Sequence, residues 1–219
     1  MSFQYFKEIF FISVTVFYFY SCNRNVSNFE NPNKTILLEK QYNDLIVDSG
    51  VEINIIPHTK LSDKIVLTGD FNNVKINKSE KEITITKNKK NAHKKIVAFL
   101  YSNSIFKINL KEGARIIYDF KNKKVDTLNL FLSGGSYAEV IVNSAMLNSF
   151  SKEGSTLKLK GKSKSAFLKA ISNSKILANN FFAADNYAIS SNYSKIILNK
   201  GSGKIETIKD KTSKIRIKK

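Results

Sequence analysis

Gly135-Ser136-Tyr137-Ala138-Glu139-Val140 returns as Gly154-Ser155-Thr156-Leu157-Lys158-Leu159, then as Asn173-Ser174-Lys175-Ile176-Leu177-Ala178, and again as Tyr193-Ser194-Lys195-Ile196-Ile197-Leu198. The four serines stand 19, 19 and 20 residues apart. Two residues after each comes Ala138, Leu157, Ile176 or Ile196, and four after comes Val140, Leu159, Ala178 or Leu198. Side chains two apart on a strand share a face, so each serine marks a corner and opens a strand with two inward positions. A unit of about 20 residues that cannot bury its own apolar face is stabilised by stacking on the next unit. The spacing predicts an all-β solenoid, a β-helix of about 20-residue coils.

The period extends backward in a looser form. Glu112-Gly113-Ala114 precedes Ile116 and Tyr118 in the same phase. On the far side of the coils the register is poorer, and Leu147 and Phe150 are matched with Leu168 and Ile171, then with Tyr187 and Ile189. Upstream, Val51, Ile53 and Ile55 share a face, as do Ile65 and Leu67, Val74 and Ile76, and Ile83 and Ile85. Turn material separates these runs: Asp48-Ser49-Gly50, Pro57-His58, Gly69 to Asn73, and Lys78-Ser79-Glu80. They lack the serine period, so they read as N-terminal strands capping the first coil. Lys87 to Lys95 reads as a basic surface loop, and the charged segment from Lys209 to Lys219 as a blunting of the other end.

The amino terminus differs in kind. Ile9 to Tyr20 is apolar apart from Ser13 and Thr15. As a helix it would rise about 18 Å, short of a hydrocarbon core of about 30 Å, which fits the apolar region of a signal peptide. Cys22 is the single cysteine, which closes the intramolecular disulfide. Its place after Ser21 and the apolar run resembles the bacterial lipobox, with Phe19 where the pattern prefers Leu and Tyr20 bulky. The expected organisation is a signal peptide over 1–21, a lipidated amino terminus and tether over 22–40, and a solenoid domain over 41–219. Lipidation at Cys22 would hold the protein on a membrane of the cell envelope. The residues after Cys22 have no acidic run, which tilts the expected side toward the periplasm.

The formal net charge is +18, and residues 1–21 contribute nothing to it. Only Arg24, Arg115 and Arg216 among the 36 basic residues are arginine. Base-edge and phosphate recognition leans on the arginine fork, so nucleic acid is not expected as a partner. The lysines alternate with apolar residues, as in Thr156 to Lys160 and Lys214 to Lys218. That pattern describes an outward face that solvates the strands and is open to an anionic glycan or surface polymer.

The order of these features resembles the head GIN domain family of auto-transporter adhesins, lipoproteins typical of Bacteroidetes. The residues that carry the resemblance are the opening strand Leu45-Ile46-Val47-Asp48-Ser49-Gly50-Val51-Glu52-Ile53-Asn54-Ile55, the corners Gly135-Ser136 and Gly154-Ser155, and the closing Gly201-Ser202-Gly203. Asn173-Ser174 and Tyr193-Ser194 keep the corner without its glycine. The resemblance covers about residues 41–208. It implies a right-handed, single-stranded β-solenoid at the bacterial surface or in the periplasm and an adhesive role, and it brings no catalytic residues.

Parallel β-coils also carry polysaccharide lyases and hydrolases, which gather acidic pairs on one face. Glu139, Glu153, Asp119, Asp126 and Asp185 do not recur at one coil position. His58 and His93 stand alone and read as surface residues, and no second thiol is available for zinc. Ser133-Gly134-Gly135-Ser136 lacks the lysine and helix of a phosphate loop and reads as a tight corner. No catalytic, cofactor or metal residue is assigned. The reading is a non-catalytic adhesion or binding module of the outer membrane that uses strand faces and Tyr137, Tyr187 and Tyr193. The alternatives are a structural envelope protein with no dedicated ligand and a carbohydrate-active β-helix enzyme.

Overall fold

The computed structural model describes residues 33–58, 63–88, 95–121, 123–200 and 203–218. Sixteen strands follow in chain order. They are β1 (Lys34–Leu37), β2 (Asp44–Val47), β3 (Glu52–Ile56), β4 (Lys64–Gly69), β5 (Val74–Lys78), β6 (Glu82–Lys87), β7 (Ile96–Tyr101) and β8 (Lys107–Leu110). Next come β9 (Arg115–Asp119), β10 (Val125–Leu132), β11 (Tyr137–Ser151), β12 (Thr156–Ala170), β13 (Lys175–Ser190), β14 (Lys195–Asn199), β15 (Lys204–Lys209) and β16 (Lys214–Lys218). The described residues hold one 3-10 turn, Phe71–Asn73, and no α-helix.

Two stacks of parallel strands wind from this order. The first runs β1-β4-β7-β3-β9-β11, and the second runs β5-β6-β2-β8-β10-β11. Strands β11, β12 and β13 are long enough to bend from one stack to the other, so each serves both. Beyond them β14 and β16 continue the first stack and β15 the second. Among the described residues antiparallel pairing occurs only where β1, β4 and β5 join, at one end.

The predicted vertical rows are present. Ala138 pairs with Leu157, Leu157 with Ile176, and Ile176 with Ile196. The row continues on one side through Ile116, Ile53 and Ala98, and on the other to Ile215. In the second stack Ile83, Leu45, Ile108, Leu130, Ser149, Leu168 and Ala188 form the matching inner row. Both rows belong to one buried core, apart from the half-buried Ile215 at the end and the buried polar Ser149.

The corner between the stacks repeats with the chain. Glu112 and Gly113, Gly134 and Gly135, Glu153 and Gly154, Ser172 and Asn173, and Asn192 and Tyr193 all have positive φ, the sign pattern of a type I′ turn. Successive corners hydrogen-bond to one another: Gly113 N–H donates to Gly134 O at 2.8 Å, Gly135 to Glu153 at 2.8 Å, Gly154 to Ser172 at 3.0 Å, and Asn173 to Asn192 at 2.9 Å. The residue after each pair is buried: Ala114, Ser136, Ser155, Ser174 and Ser194; one coil further on, Ser213 is buried in the same place. Five turns of about 20 residues separate Ala114 from Ser213. The serine hydroxyls donate to strand-end carbonyls one coil back, Ser155 to Leu132 at 3.2 Å, Ser194 to Ala170 at 2.7 Å and Ser213 to Ser190 at 2.6 Å.

Several expectations change. The early strands are more than a cap, because β2 and β3 make a coil of their own with Ser49 and Gly50 at its corner and Val51 in the serine position. Only β1, β4 and β5 close the end as antiparallel strands. Lys214–Lys218 is a rung, paired with β14, and does not lie outside the stack. The corner after Ser194 is Asp210-Lys211-Thr212-Ser213; Gly201 and Ser202 lie outside the described residues. Leu147 pairs with Ala166 and Phe150 with Lys169, each two residues from the expected match, and Phe150 points outward between the buried Ser149 and Ser151. Lys87 closes β6 in a buried position, and residues 89–94 of the expected loop, His93 included, fall outside the described set. Lys34–Leu37, within the 22–40 segment, pairs with β4.

Candidate functional site

The outward positions of β10 to β13 build an uncovered strip on the second stack. Asn129, Asn148, Phe167 and Tyr187 are in register across four strands, and Glu206 on β15 extends the row. Beside it run Phe131, Phe150, Lys169, Ile189 and Ile208, and on the other side Thr127, Met146, Ser165, Asp185 and Lys204. Strand alternation explains the placement: Leu130, Leu132, Leu168 and Ala188 point inward, so Phe131, Phe167 and Tyr187 must point out. Phe131 and Phe167 are each 37% exposed and Met146 is 45% exposed.

The strip is ordered by its own contacts. The Phe167 and Tyr187 rings stack at 5.5 Å between centroids with 19° between planes. Asn148 Nδ2 donates to Asn129 Oδ1 at 3.0 Å, and Lys169 Nζ lies 5.4 Å from the centre of the Phe150 ring. Two shallow hollows flank Phe167. One, of about 360 Å³, lies among Met146, Asn148, Asp185, Tyr187 and Glu206. The other, of about 460 Å³, lies among Asn129, Phe131, Phe150 and Lys169. Lys204 donates to Glu206, and that hydrogen bond raises the lysine pKa. Flat rings offer stacking surface to a partner, and amides offer both donors and acceptors.

The first stack presents a different face. Arg115 lies 4.5 Å from the centre of the Tyr137 ring, and the Tyr137 hydroxyl donates to Glu139 Oε2 at 3.1 Å. Lys160 Nζ reaches Glu139 Oε1 at 2.6 Å, and this hydrogen bond is the main reason the Glu139 pKa falls below the ordinary carboxylate range. Tyr137 is therefore held among charged neighbours on the other face from Tyr187. Tyr193 stands alone at a corner, 71% exposed.

Of the three tyrosines named from the sequence, only Tyr187 joins the strip. Phe131, Met146 and Phe167 have no place in the sequence reading, and Phe150 enters it only through the far-side register of the coils. Their signal was the alternation itself, obscured by mixed runs such as Ala166-Phe167-Leu168, in which both faces carry apolar residues. Cys22 lies outside the described residues. His58, expected at the surface, is half-buried with its Nε2 3.5 Å from Asp63. Among the described residues no group of three or more His, Cys, Asp or Glu side chains is placed to hold a metal ion.

The family model described as "Putative auto-transporter adhesin, head GIN domain" matches residues 41–218. A crystal structure of a "putative adhesin" from Bacteroides fragilis NCTC 9343 superposes with a TM-score of 0.67 at 18% identity, covering 85% of this chain and 92% of that one. A "putative adhesin" from Parabacteroides merdae ATCC 43184 gives a TM-score of 0.60 at 14% identity, covering 85% and 95%. A "putative lipid binding protein" from Parabacteroides distasonis ATCC 8503 gives 0.55 at 11% identity, covering 85% and 97%. At these identities the likeness is one of fold. No curated protein matches the chain.

Proposed function

The chain belongs to the head GIN domain family of auto-transporter adhesins, and from that premise we propose that it is a non-catalytic adhesion module of the cell envelope. Its binding face is the strip centred on Phe167 and Tyr187, and the partner class is a glycan chain laid across the rungs. The carrying observation is a stacked, solvent-facing aromatic pair bordered by the Asn129 and Asn148 amides on a rigid parallel sheet. Rings of sugar present apolar C–H faces to aromatics and hydroxyls to amides, and a fixed strand spacing of about 4.8 Å keeps successive contacts in line. Residues 1–21 act as an export signal and Cys22 carries the lipid that holds the domain at an outer-membrane surface, a reading supported by the apolar run from Ile9 to Tyr20 and the lone thiol after it.

The test is saturable binding of the purified chain to a panel of neutral glycans. Phe167→Ala with Tyr187→Ala should weaken the best binder at least about tenfold, a loss of roughly 1.4 kcal/mol. Absence of saturable binding by the native chain would favour a structural envelope role, and sugar release from a polysaccharide panel would favour an enzyme. For the anchor, Cys22→Ser should move the protein from the membrane fraction to the soluble one.

A further inference from the structure

The outward face of the first stack changes character along its length. Toward β3 and β12 its cations stand beside carboxylates or rings: Lys95 Nζ lies 3.1 Å from Glu52, Arg115 lies over Tyr137, and Lys160 pairs with Glu139. From β13 onward the pattern stops. Lys175 is in register with Lys195, and Lys195 with Lys214. Arg216 and Lys218 follow Lys214 on the same face of β16. None of these five cations forms an ion pair with another described residue, and the outward positions of β14 and β16 hold no carboxylate.

Like charges directly opposite on neighbouring strands are destabilising. The rung spacing of about 4.8 Å is well inside the Debye length of about 8 Å at physiological salt, so simple ions screen the row only in part. A polyanion lying along the stack would offset the repulsion and release its own condensed counterions. Beside the lysine row run Leu177 and Ile197, in register with each other and then with Arg216, and both are half-buried. They form an apolar strip at the level of the sheet, below the ammonium groups. Lysine acts as a flexible point charge rather than a fixed fork, which suits carboxylates met in varying orientation.

We infer that the face of β13, β14 and β16 binds an acidic polysaccharide, a linear uronate-bearing glycan that crosses successive rungs. Its carboxylates meet Lys175, Lys195 and Lys214, and the C–H faces of its rings meet Leu177 and Ile197. A nucleic acid fits less well because the outward positions of β14 and β16 carry no aromatic ring on which successive bases could stack, and Tyr193 offers a single ring at the corner. An anionic membrane fits less well because Leu177 and Ile197, the apolar side chains beside the lysine row, are half-buried. The site is separate from the Phe167–Tyr187 strip, and its partner differs in charge.

The experiment measures binding of polygalacturonate to the full chain as a function of salt. Lys175→Gln, Lys195→Gln and Lys214→Gln together should weaken binding at least about tenfold at physiological salt and make the slope of log affinity against log salt shallower by about 2. A control triple, Lys75→Gln, Lys78→Gln and Lys81→Gln, removes the same charge at the opposite end and should stay within about twofold of the native chain. The Phe167→Ala, Tyr187→Ala chain should keep its polygalacturonate affinity, so loss of one face is read independently of the other. The inference is overturned by absence of saturable binding, by equal losses in the two triples, or by phosphatidylglycerol vesicles or single-stranded DNA binding as tightly with the same sensitivity.

Discussion

The hydroxyl of Ser174 donates to the carbonyl oxygen of Ser151 at 2.7 Å, tying the corner of one coil to the strand end of the coil before it. The same carbonyl accepts the Ile171 N–H at 2.9 Å, so it keeps a partner when the hydroxyl is removed. Ser174→Ala should therefore cost about 1 kcal/mol, the net worth of one hydrogen bond. For a chain of this size that is a fall in melting temperature of about 2–4 °C. An unchanged melting temperature would mean that the serine column contributes only packing.

Two glycines should respond differently to alanine. Gly154 and Gly161 both have positive φ, 73° and 91°. A Cβ at Gly154 meets nothing within 4 Å, whereas a Cβ at Gly161 would sit on the carbonyl oxygen of Val142. Gly154→Ala should cost about 1–2 kcal/mol, the backbone penalty alone. Gly161→Ala should cost clearly more, because β12 must shift against β11. Equal costs in urea denaturation would refute the steric argument.

Acid stability should depend on Asp210. Its carboxylate accepts the Asn192 N–H at 2.7 Å, and this bond, ahead of those from Thr212 and Ser213, holds its pKa down to about 2. An unfolded aspartate titrates near 3.9, at about that value in peptides. Folding thus favours the ionised form, and its contribution is complete above about pH 4 and disappears as pH falls through about 2. Asp210→Asn should lower stability at neutral pH and flatten the curve between those limits. A variant that follows the native pH profile would remove Asp210 as the cause.

Removal of one whole coil should be tolerated. Deleting residues 155–173 joins Gly154 to Ser174, and Lys175 then takes the place of Thr156 opposite Tyr137. Each coil touches mainly its neighbours, so a shorter stack should still unfold cooperatively at a lower temperature. Circular dichroism melts would show this, and a chain without a transition would contradict the nearest-neighbour picture.

The regular coils were legible because three signals agreed: a corner serine, two inward apolar positions and a constant interval. Ser213, with Ile215 and Ile217 behind it, carries the same signal, obscured by Lys214, Arg216 and Lys218, which alternate with them. The first coil was missed because Val51 replaces the serine, a change that keeps burial and drops the hydroxyl. The binding strip was harder to see. In Leu147 to Phe150 polar and apolar residues occupy both faces, with Ser149 buried and Phe150 outward, so alternation alone could not choose the side. Register was settled by the neighbouring strands, which a single sequence does not display.

Among the described strands β1 pairs with β4 alone, and all four of its residues are at least partly exposed. Pulled from its amino-terminal side, the domain would yield there first, paying out a slack of about 3.4 Å for each residue released. Leu38 and Tyr42, both buried, would then take the load. An adhesive head hung from this end would possess a short shock absorber in series with a stiff body, and small tugs would spend themselves on β1 before they reached the coils.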